Sequence, residues 1–148
     1  MSNLSIVEKV IALEDVEVFS DLSPDQLARV AAIAKEVRLA PGEFVLDGTK
    51  RIVALYVIVD GAVEVRHGDE KLLSLRPGQV LGMWAIFEDP DPTWVTARAL
   101  EDTRVLRICR EDFYELLADH GEITSAMFSA LIKRFRSGQQ AATSGGAK

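Results

Sequence analysis

The sequence has little cysteine, little histidine and no long apolar run, and each shortage removes a class of protein. Its 148 residues include one cysteine and two histidines, which excludes an internal disulfide and a metal site built from several Cys or His ligands. No apolar run approaches the ~18 residues of a membrane-spanning helix. The formal charge of −6 argues against a nucleic-acid-binding surface and against docking on anionic lipid.

The composition and the N-terminus are those of an ordinary globular chain. Hydrophobic residues make up 48% and charged residues 27% of the sequence, which argues against disordered and fibrous classes. The length fits one domain. The N-terminus lacks a basic segment, and charged residues interrupt its apolar ones, so no signal peptide is predicted. With the single cysteine, this predicts a reducing compartment, the cytoplasm.

Helical patterns open the chain. Apolar residues near the N-terminus recur at helical spacing and predict a short amphipathic helix. Ser23 as N-cap, Pro24 at the first helical position and Gln26 as capping-box partner predict the start of a second helix. Its apolar stripe continues to Val37, so we predict N-terminal helices within residues 4–37.

Short strand patterns follow over residues 38–110. Glycines separate runs rich in Val, Leu and Ile, and the run at 52–59 is apolar on both faces. That run predicts a strand buried on both sides. Val63 and Val65 alternate with polar residues, which predicts a strand with one wet face. Many short strands separated by turns predict a sandwich or a small barrel.

Helical patterns return over residues 111–136, where we predict two C-terminal helices. The apolar stripe of the second, within residues 123–135, is wide enough to cover the barrel and to face a partner helix. Residues 137–148 carry no apolar side chain larger than alanine and are predicted to form a disordered tail or linker. This order predicts an α+β fold in one domain over residues 1–136.

Recurring motifs stand in a fixed order along the chain: VFSDLSPDQL, PGEFVLDG, LYVIVDGAVEV, LSLRPGQVLG and ARALEDTRVLRICREDF, with turn glycines at Gly42, Gly48, Gly61, Gly78 and Gly82. Over roughly residues 14–136 they resemble the cyclic-nucleotide-binding domain family of catabolite activator-type regulators, protein kinase A regulatory subunits and gated channels. The resemblance implies a double-stranded β-helix, a jelly-roll-like β-roll, flanked by helices. The shared glycines have a physical reason, since tight turns need positive φ.

The family holds its ligand between two strands, where a short helix offers backbone N–H groups to the cyclic phosphate. A glutamate of this segment accepts a hydrogen bond from the ribose, and an arginine pairs with the phosphate. The resemblance places Met83 at the glutamate position, Thr93 at the arginine position and Trp94 where a small residue is usual. The ligand-binding positions are held here by Gly82, Met83, Trp84, Ala85, Thr93, Trp94, Val95 and Thr96.

These substitutions predict a pocket altered from that of the family. Residues 83–97 contain no Lys or Arg, and Glu88, Asp89 and Asp91 add carboxylates near the expected phosphate. Each lost charge-assisted hydrogen bond weakens binding by roughly 10–150-fold. Cyclic AMP (cAMP) and cyclic GMP (cGMP) are therefore expected to bind weakly or not at all. Backbone N–H groups of residues 83–85 are expected to hold a small anionic ligand weakly.

Several other residues have two interpretations each. Trp84 and Trp94 form either a stacking platform for a base or a plug that replaces the ligand, and the missing arginine favours the plug. His67 and His120 have no further His or Cys at ligand spacing, so the metal site of a cupin enzyme lacks its ligands. Nearby arginines favour a thiolate at Cys109, but a packed cysteine is the preferred interpretation.

The leading functional hypothesis is a non-catalytic regulatory or sensor module whose ligand moves the C-terminal helix. The alternative is a degenerate domain that forms a homodimer, or contacts a fused or separate effector, through residues 123–135. No nucleophile–base pair, metal cluster or P-loop supports an enzyme, and no DNA-binding unit is expected in this chain. Lys133, Arg134 and Arg136 are interpreted as cations that complement the C-terminus of the last helix.

Overall fold

The computed structural model describes residues 3–49, 52–83 and 95–146, with side chains described as far as residue 137. Its helices are α1 (Ile6–Glu14), a 3₁₀ turn (Glu17–Phe19), α2 (Pro24–Ile33), α3 (Arg110–Asp119) and α4 (Gly121–Gly146). None of these helices is both long enough and apolar enough to cross a lipid bilayer.

The strands in the described ranges form two antiparallel four-stranded sheets. They are β1 (Ala34–Leu39), β2 (Phe44–Asp47), β3 (Ala54–Asp60), β4 (Val63–His67), β5 (Glu70–Leu75), β6 (Val80–Leu81), β7 (Thr96–Ala99) and β8 (Thr103–Cys109). One sheet has the order β1-β8-β3-β6 and the other β2-β7-β4-β5. The two sheets face each other as a β-roll with helices before and after it, which confirms the predicted fold class.

The sheet β1-β8-β3-β6 has a buried core on each face. Along β3, Leu55 and Val57 face the helices, whereas Ala54, Tyr56 and Ile58 face the other sheet. The prediction of a strand buried on both sides is therefore confirmed. The helix-facing core contains Leu13, Phe19, Val30, Leu55, Val57, Leu106, Ile108, Phe113, Ile123 and Met127. The roll interior contains Leu39, Ala54, Tyr56, Ile58, Val63, Val65, Leu75, Val95, Ala97, Ala99 and Val105.

Local sequence signals locate several element boundaries. The Ser23 hydroxyl accepts from the Gln26 N–H at 3.2 Å, and the Gln26 side chain accepts from the Ser23 N–H at 2.9 Å. This capping box starts α2 as predicted. The turn glycines all have positive φ: Gly42, Gly48, Gly61, Gly78 and Gly82.

The structure corrects the predicted end of the second helix. The apolar periodicity predicted helix to Val37, but α2 ends at Ile33 and β1 begins at Ala34. β1 pairs with β8 over its whole length, with Ala34 opposite Ile108 at one end and Leu39 opposite Thr103 at the other. Hydrogen bonds to a distant strand thus override a local helical pattern, because the periodicity carries no information about a strand partner.

The last helix also differs from its predicted boundary. It was expected to end at residue 136 before a disordered tail, but α4 continues to Gly146. Extending an existing helix adds one hydrogen bond per residue without a new nucleation cost, which favours its continuation beyond residue 136.

Candidate functional site

Gly82 stands directly after β6, where the resemblance places the start of the ligand segment. Its φ is +93°, and a Cβ at this position would lie 2.6 Å from the carbonyl oxygen of Ala54. No side chain fits at that distance from a backbone oxygen, so the position requires glycine. Because Ala54 belongs to the roll interior, this close approach holds the start of the ligand segment at the edge of that interior.

The other described members of the predicted site do not share one surface. Met83 is half-buried and packs against the helix-facing core, while Val95 is buried in the roll interior. Thr96 begins β7 opposite Arg66, and strand alternation turns it to the outer face of the roll. The structure therefore brings only Gly82 and Val95 of these four to the roll interior. Four predicted residues lie outside the described ranges: Trp84, Ala85, Thr93 and Trp94.

Arg107 is a half-buried charged residue on the roll-facing side of β8, which the sequence analysis did not place at the site. Leu106 and Ile108 of β8 belong to the helix-facing core, whereas Val105 faces the roll. Alternation along β8 therefore places Arg107 on the roll side with Val105. Its cross-strand neighbour on β3 is Tyr56, which is buried in the roll interior.

The guanidinium of Arg107 is held by two uncharged side chains. Its Nη1 donates to Cys109 Sγ at 3.0 Å, and it also hydrogen-bonds the side chain of Tyr56. The hydrogen bond to Tyr56 is the largest cause that raises the pKa of the guanidinium, and partial burial opposes the rise. Cys109 thus serves as a hydrogen-bond acceptor at the end of β8.

A row of cross-strand neighbours runs from Arg107 to the ligand segment. Arg107 of β8 pairs with Tyr56 of β3, and Tyr56 pairs with Leu81 of β6, the residue before Gly82. The available signal was an arginine between the apolar residues Leu106 and Ile108 of β8. An arginine in a strand with a core on each side needs a partner. Its proximity to the ligand segment depended on strand order, which the sequence pattern did not contain.

Side chains of α4 attach it to the N-terminal segment. Lys133 Nζ lies 2.9 Å from Asp21 Oδ2, and Arg134 forms an ion pair with Glu17. The prediction that these cations complement a helix C-terminus is wrong, because α4 continues past them to Gly146. Their carboxylate partners come from the 3₁₀ turn and the residues after it, so the ion pairs join the two ends of the domain.

His120 is a structural residue at the junction of α3 and α4. Its Nε2 lies 3.2 Å from Arg29 Nη1, and its Nδ1 lies 3.3 Å from Glu122 Oε1. Its backbone N–H also closes α3 by donating to the carbonyl of Leu116. These contacts agree with the interpretation of His120 as a helix-end residue.

The predicted apolar stripe on α4 divides into two faces. Ile123, Met127 and Ala130 are buried against the domain. A second face carries large apolar side chains that remain 41–65% exposed: Phe128, Leu131, Ile132 and Phe135. The prediction that one part of the stripe covers the barrel is confirmed, and the other part is left available for a further contact.

Known proteins share this architecture and sequence pattern. A family model described as the cyclic nucleotide-binding domain matches residues 36–120. The chain is 26% identical over 124 residues to the CRP-like cAMP-activated global transcriptional regulator of Mycobacterium tuberculosis, covering 80% of this chain and 55% of that protein. It is 25% identical over 105 residues to the cAMP-dependent protein kinase regulatory subunit of Hypocrea atroviridis, covering 71% of this chain and 22% of that protein.

A solved structure of a regulator domain has the same fold as this chain. The N-terminal domain of a transcriptional regulator from Streptomyces coelicolor A3(2) superposes with a TM-score of 0.73 at 27% identity, covering 88% of this chain and 93% of that one. The two curated relatives are regulators by name, and this chain spans about half or less of their lengths.

Proposed function

The chain belongs to the cyclic nucleotide-binding domain family, and on that premise we propose that it is a non-catalytic sensor or regulatory module with an altered ligand pocket. The names of the curated relatives include cAMP, so cyclic nucleotides are the first ligands to test. We propose that cAMP and cGMP bind this chain weakly or not at all.

The packing of Met83 carries this proposal. The resemblance assigns this position to a glutamate that accepts a hydrogen bond from the ribose. Met83 has no carboxylate, and its side chain packs against the helix-facing core instead. A neutral thioether is a poor acceptor, and a missing charge-assisted hydrogen bond contributes about 1.5–3 kcal/mol of lost affinity. The threonine at position 93 removes the expected arginine as well.

The test is an NMR titration of the isotope-labelled protein with cAMP, and separately with cGMP, to millimolar concentration. Amide shifts are followed at Gly82 and Met83, and along α4 at residues 123–135. We expect shifts that do not saturate below the millimolar range. Saturation at micromolar nucleotide would overturn the altered-pocket proposal and leave a normal nucleotide sensor.

A variant pair tests the Met83 argument directly. Met83→Glu restores the carboxylate and is expected to tighten cAMP binding by about tenfold or more. Met83→Gln has a similar length without the charge and serves as the matched control, with an expected change of less than about threefold. Equal affinities of the two variants would show that the missing carboxylate does not limit binding.

A second function is supported by the exposed apolar face of α4. We propose that Phe128, Leu131, Ile132 and Phe135 form a contact with a second copy of this chain or with an effector. Burying such side chains from water stabilises association by about 25 cal/mol per Å² of apolar area. Light scattering after size-exclusion chromatography is expected to show a dimer that Phe128→Lys and Phe135→Lys weaken. Leu72→Lys, on an exposed position of β5, is the control, and a monomeric wild-type chain would argue against self-association.

A further inference from the structure

Arg107 has a charge that its described neighbours do not neutralise. Its two hydrogen-bond partners, Tyr56 and Cys109, are uncharged side chains. Within the described part of the chain, no carboxylate forms an ion pair with it, whereas Arg66, Arg104 and others each have one. A guanidinium has five N–H donors and favours planar or tetrahedral oxyanions, so donors remain for a ligand.

A second cation stands beside Arg107. Lys35 of β1 is its direct cross-strand partner, and alternation places Lys35 on the same sheet face as Val37, which packs against the roll interior. Like charges directly opposite each other on neighbouring strands are destabilising. An anion near the two side chains would relieve this repulsion, and the exposed Lys35 keeps the position open to solvent.

The location of Arg107 also suits a ligand. The cross-strand row that contains it ends at Leu81, next to the close approach of Gly82 to Ala54. The half-buried guanidinium lies beside a largely apolar interior, where a lower dielectric strengthens a charge-assisted hydrogen bond. Ions can still reach it, because the side chain is only partly buried.

We propose that Arg107, supported by Lys35, is the anion-binding residue of this roll and holds the phosphate group of a small ligand. This inference rests on the proposed function, since it specifies the ligand chemistry of the same pocket. It assigns the phosphate contact to β8, whereas the resemblance expects it in the segment before β7. Two sources can supply this group, free phosphate and the phosphodiester of a cyclic nucleotide.

The test compares Arg107→Gln with Arg98→Gln. Arg98 is exposed on the outer face of β7, so its variant makes the same change of charge away from the roll interior. Each labelled protein is titrated with inorganic phosphate, with cAMP and with uncharged adenosine. The readouts in every protein are the amides of Tyr56, Leu81 and Cys109. The Arg107 side-chain Nε–H is followed as well in the proteins that keep Arg107.

We expect phosphate and cAMP to shift these signals in the wild type and in Arg98→Gln. Arg107→Gln is expected to weaken both ligands by about tenfold to a hundredfold, while its response to adenosine stays unchanged. Tighter binding of cAMP than of phosphate identifies the phosphodiester as the source, and equal binding identifies free phosphate. Affinities within about twofold between the two variants, or no response of these signals in the wild type, would overturn the proposal.

Two further measurements keep the outcome interpretable. Arg107→Lys retains the charge without the planar fork of donors, so it is expected to bind phosphate and cAMP more weakly than the wild type and more tightly than Arg107→Gln. It takes the place of Arg107→Gln in the test if that variant fails to fold. Micromolar binding of cAMP by the wild type would overturn the altered pocket but leave the Arg107 comparison valid. Anion binding that is independent of Arg107 would overturn this inference and leave the proposed function standing.

Discussion

The two faces of the sheet β1-β8-β3-β6 bury different kinds of side chains. The helix-facing core contains large residues, including Phe19 and Phe113 in an edge-to-face contact with centroids 6.4 Å apart. The roll interior contains mainly alanine and valine, together with Tyr56, and Arg107 lies on its face. Large close-packed side chains make a rigid support, whereas the roll side has smaller side chains and the polar groups of Tyr56 and Arg107. One sheet thus carries a core of large side chains on one face and a core of smaller ones on the other.

The largest expected effect is a loss of stability in the helix-facing core. Phe113 is 0% exposed, so Phe113→Ala is expected to destabilise the domain by about 3–5 kcal/mol through lost burial and a cavity. Ile58→Val in the roll interior is expected to cost only about 0.5–1.5 kcal/mol. Denaturant unfolding measures both. Phe128→Ala on the exposed face of α4 is the control, with a change within about 0.5 kcal/mol. A loss for Phe113→Ala no larger than that for Phe128→Ala would contradict the supporting role of the helix-facing core.

The next effect concerns the point where the ligand segment meets the roll interior. Gly82→Ala is expected to cost about 2–4 kcal/mol, because it adds a contact 2.6 Å from the Ala54 oxygen to the strain of a positive φ. Gly42→Ala is the matched control: φ is +87° there, and nothing lies within 4 Å of the added Cβ. Its cost is expected to be about 1–2 kcal/mol. The difference in unfolding free energy isolates the close approach, and equal costs would contradict it.

A smaller effect is expected at the start of α2, which packs on the helix-facing core. Ser23→Ala removes the hydroxyl that accepts the Gln26 N–H, at a cost of about 1 kcal/mol. Ser23→Asp is expected to keep most of the stability, since a carboxylate also caps a helix. Thermal or denaturant unfolding distinguishes the two variants. An alanine variant as stable as the wild type would show that packing alone positions α2.

The smallest effect is a pH dependence at the edge of the helix-facing core. Two hydrogen bonds lower the pKa of the Glu36 carboxyl from its ordinary value of 4.5. The larger effect comes from the Leu4 N–H and the next from the Arg38 side chain. Glu36 therefore adds stability above its unfolded-state pKa, and that stability is lost as pH falls through the lower folded-state value. Unfolding midpoints between neutral and acidic pH are expected to fall more steeply for the wild type than for Glu36→Gln. Parallel curves would contradict this assignment.

Much of the fold was predictable because its signals are local. The capping residues Ser23 and Gln26 bond within one helical turn, and the turn glycines need only their own φ. The apolar run that became β3 was recognisable because burial on both faces leaves no polar alternation. The capping and turn interactions lie within a few residues, and the burial of β3 is visible in its own composition, so the sequence pattern contains all three signals.

The site was less predictable because its contacts join distant residues. The resemblance directed attention to Gly82 and Met83, and the structure places one at the roll interior and the other against the helix-facing core. No local pattern assigns a methionine to one of two adjacent cores. Val37 likewise belongs to a strand only because β8 is available to pair with it.

The sequence by itself determined that helical segments precede and follow a region of short strands. It also determined the turns, the capped helix start and the resemblance to a family, since these depend on composition and neighbouring residues. Only the tertiary structure decided that residues 34–37 are strand and that Lys133 and Arg134 reach the N-terminal segment. It also decided that Arg107 lies beside Tyr56 in the row leading to Gly82. The physical reason is that pairing between strands brings together side chains that are far apart along the chain, and their charges and hydrogen bonds then act on one another.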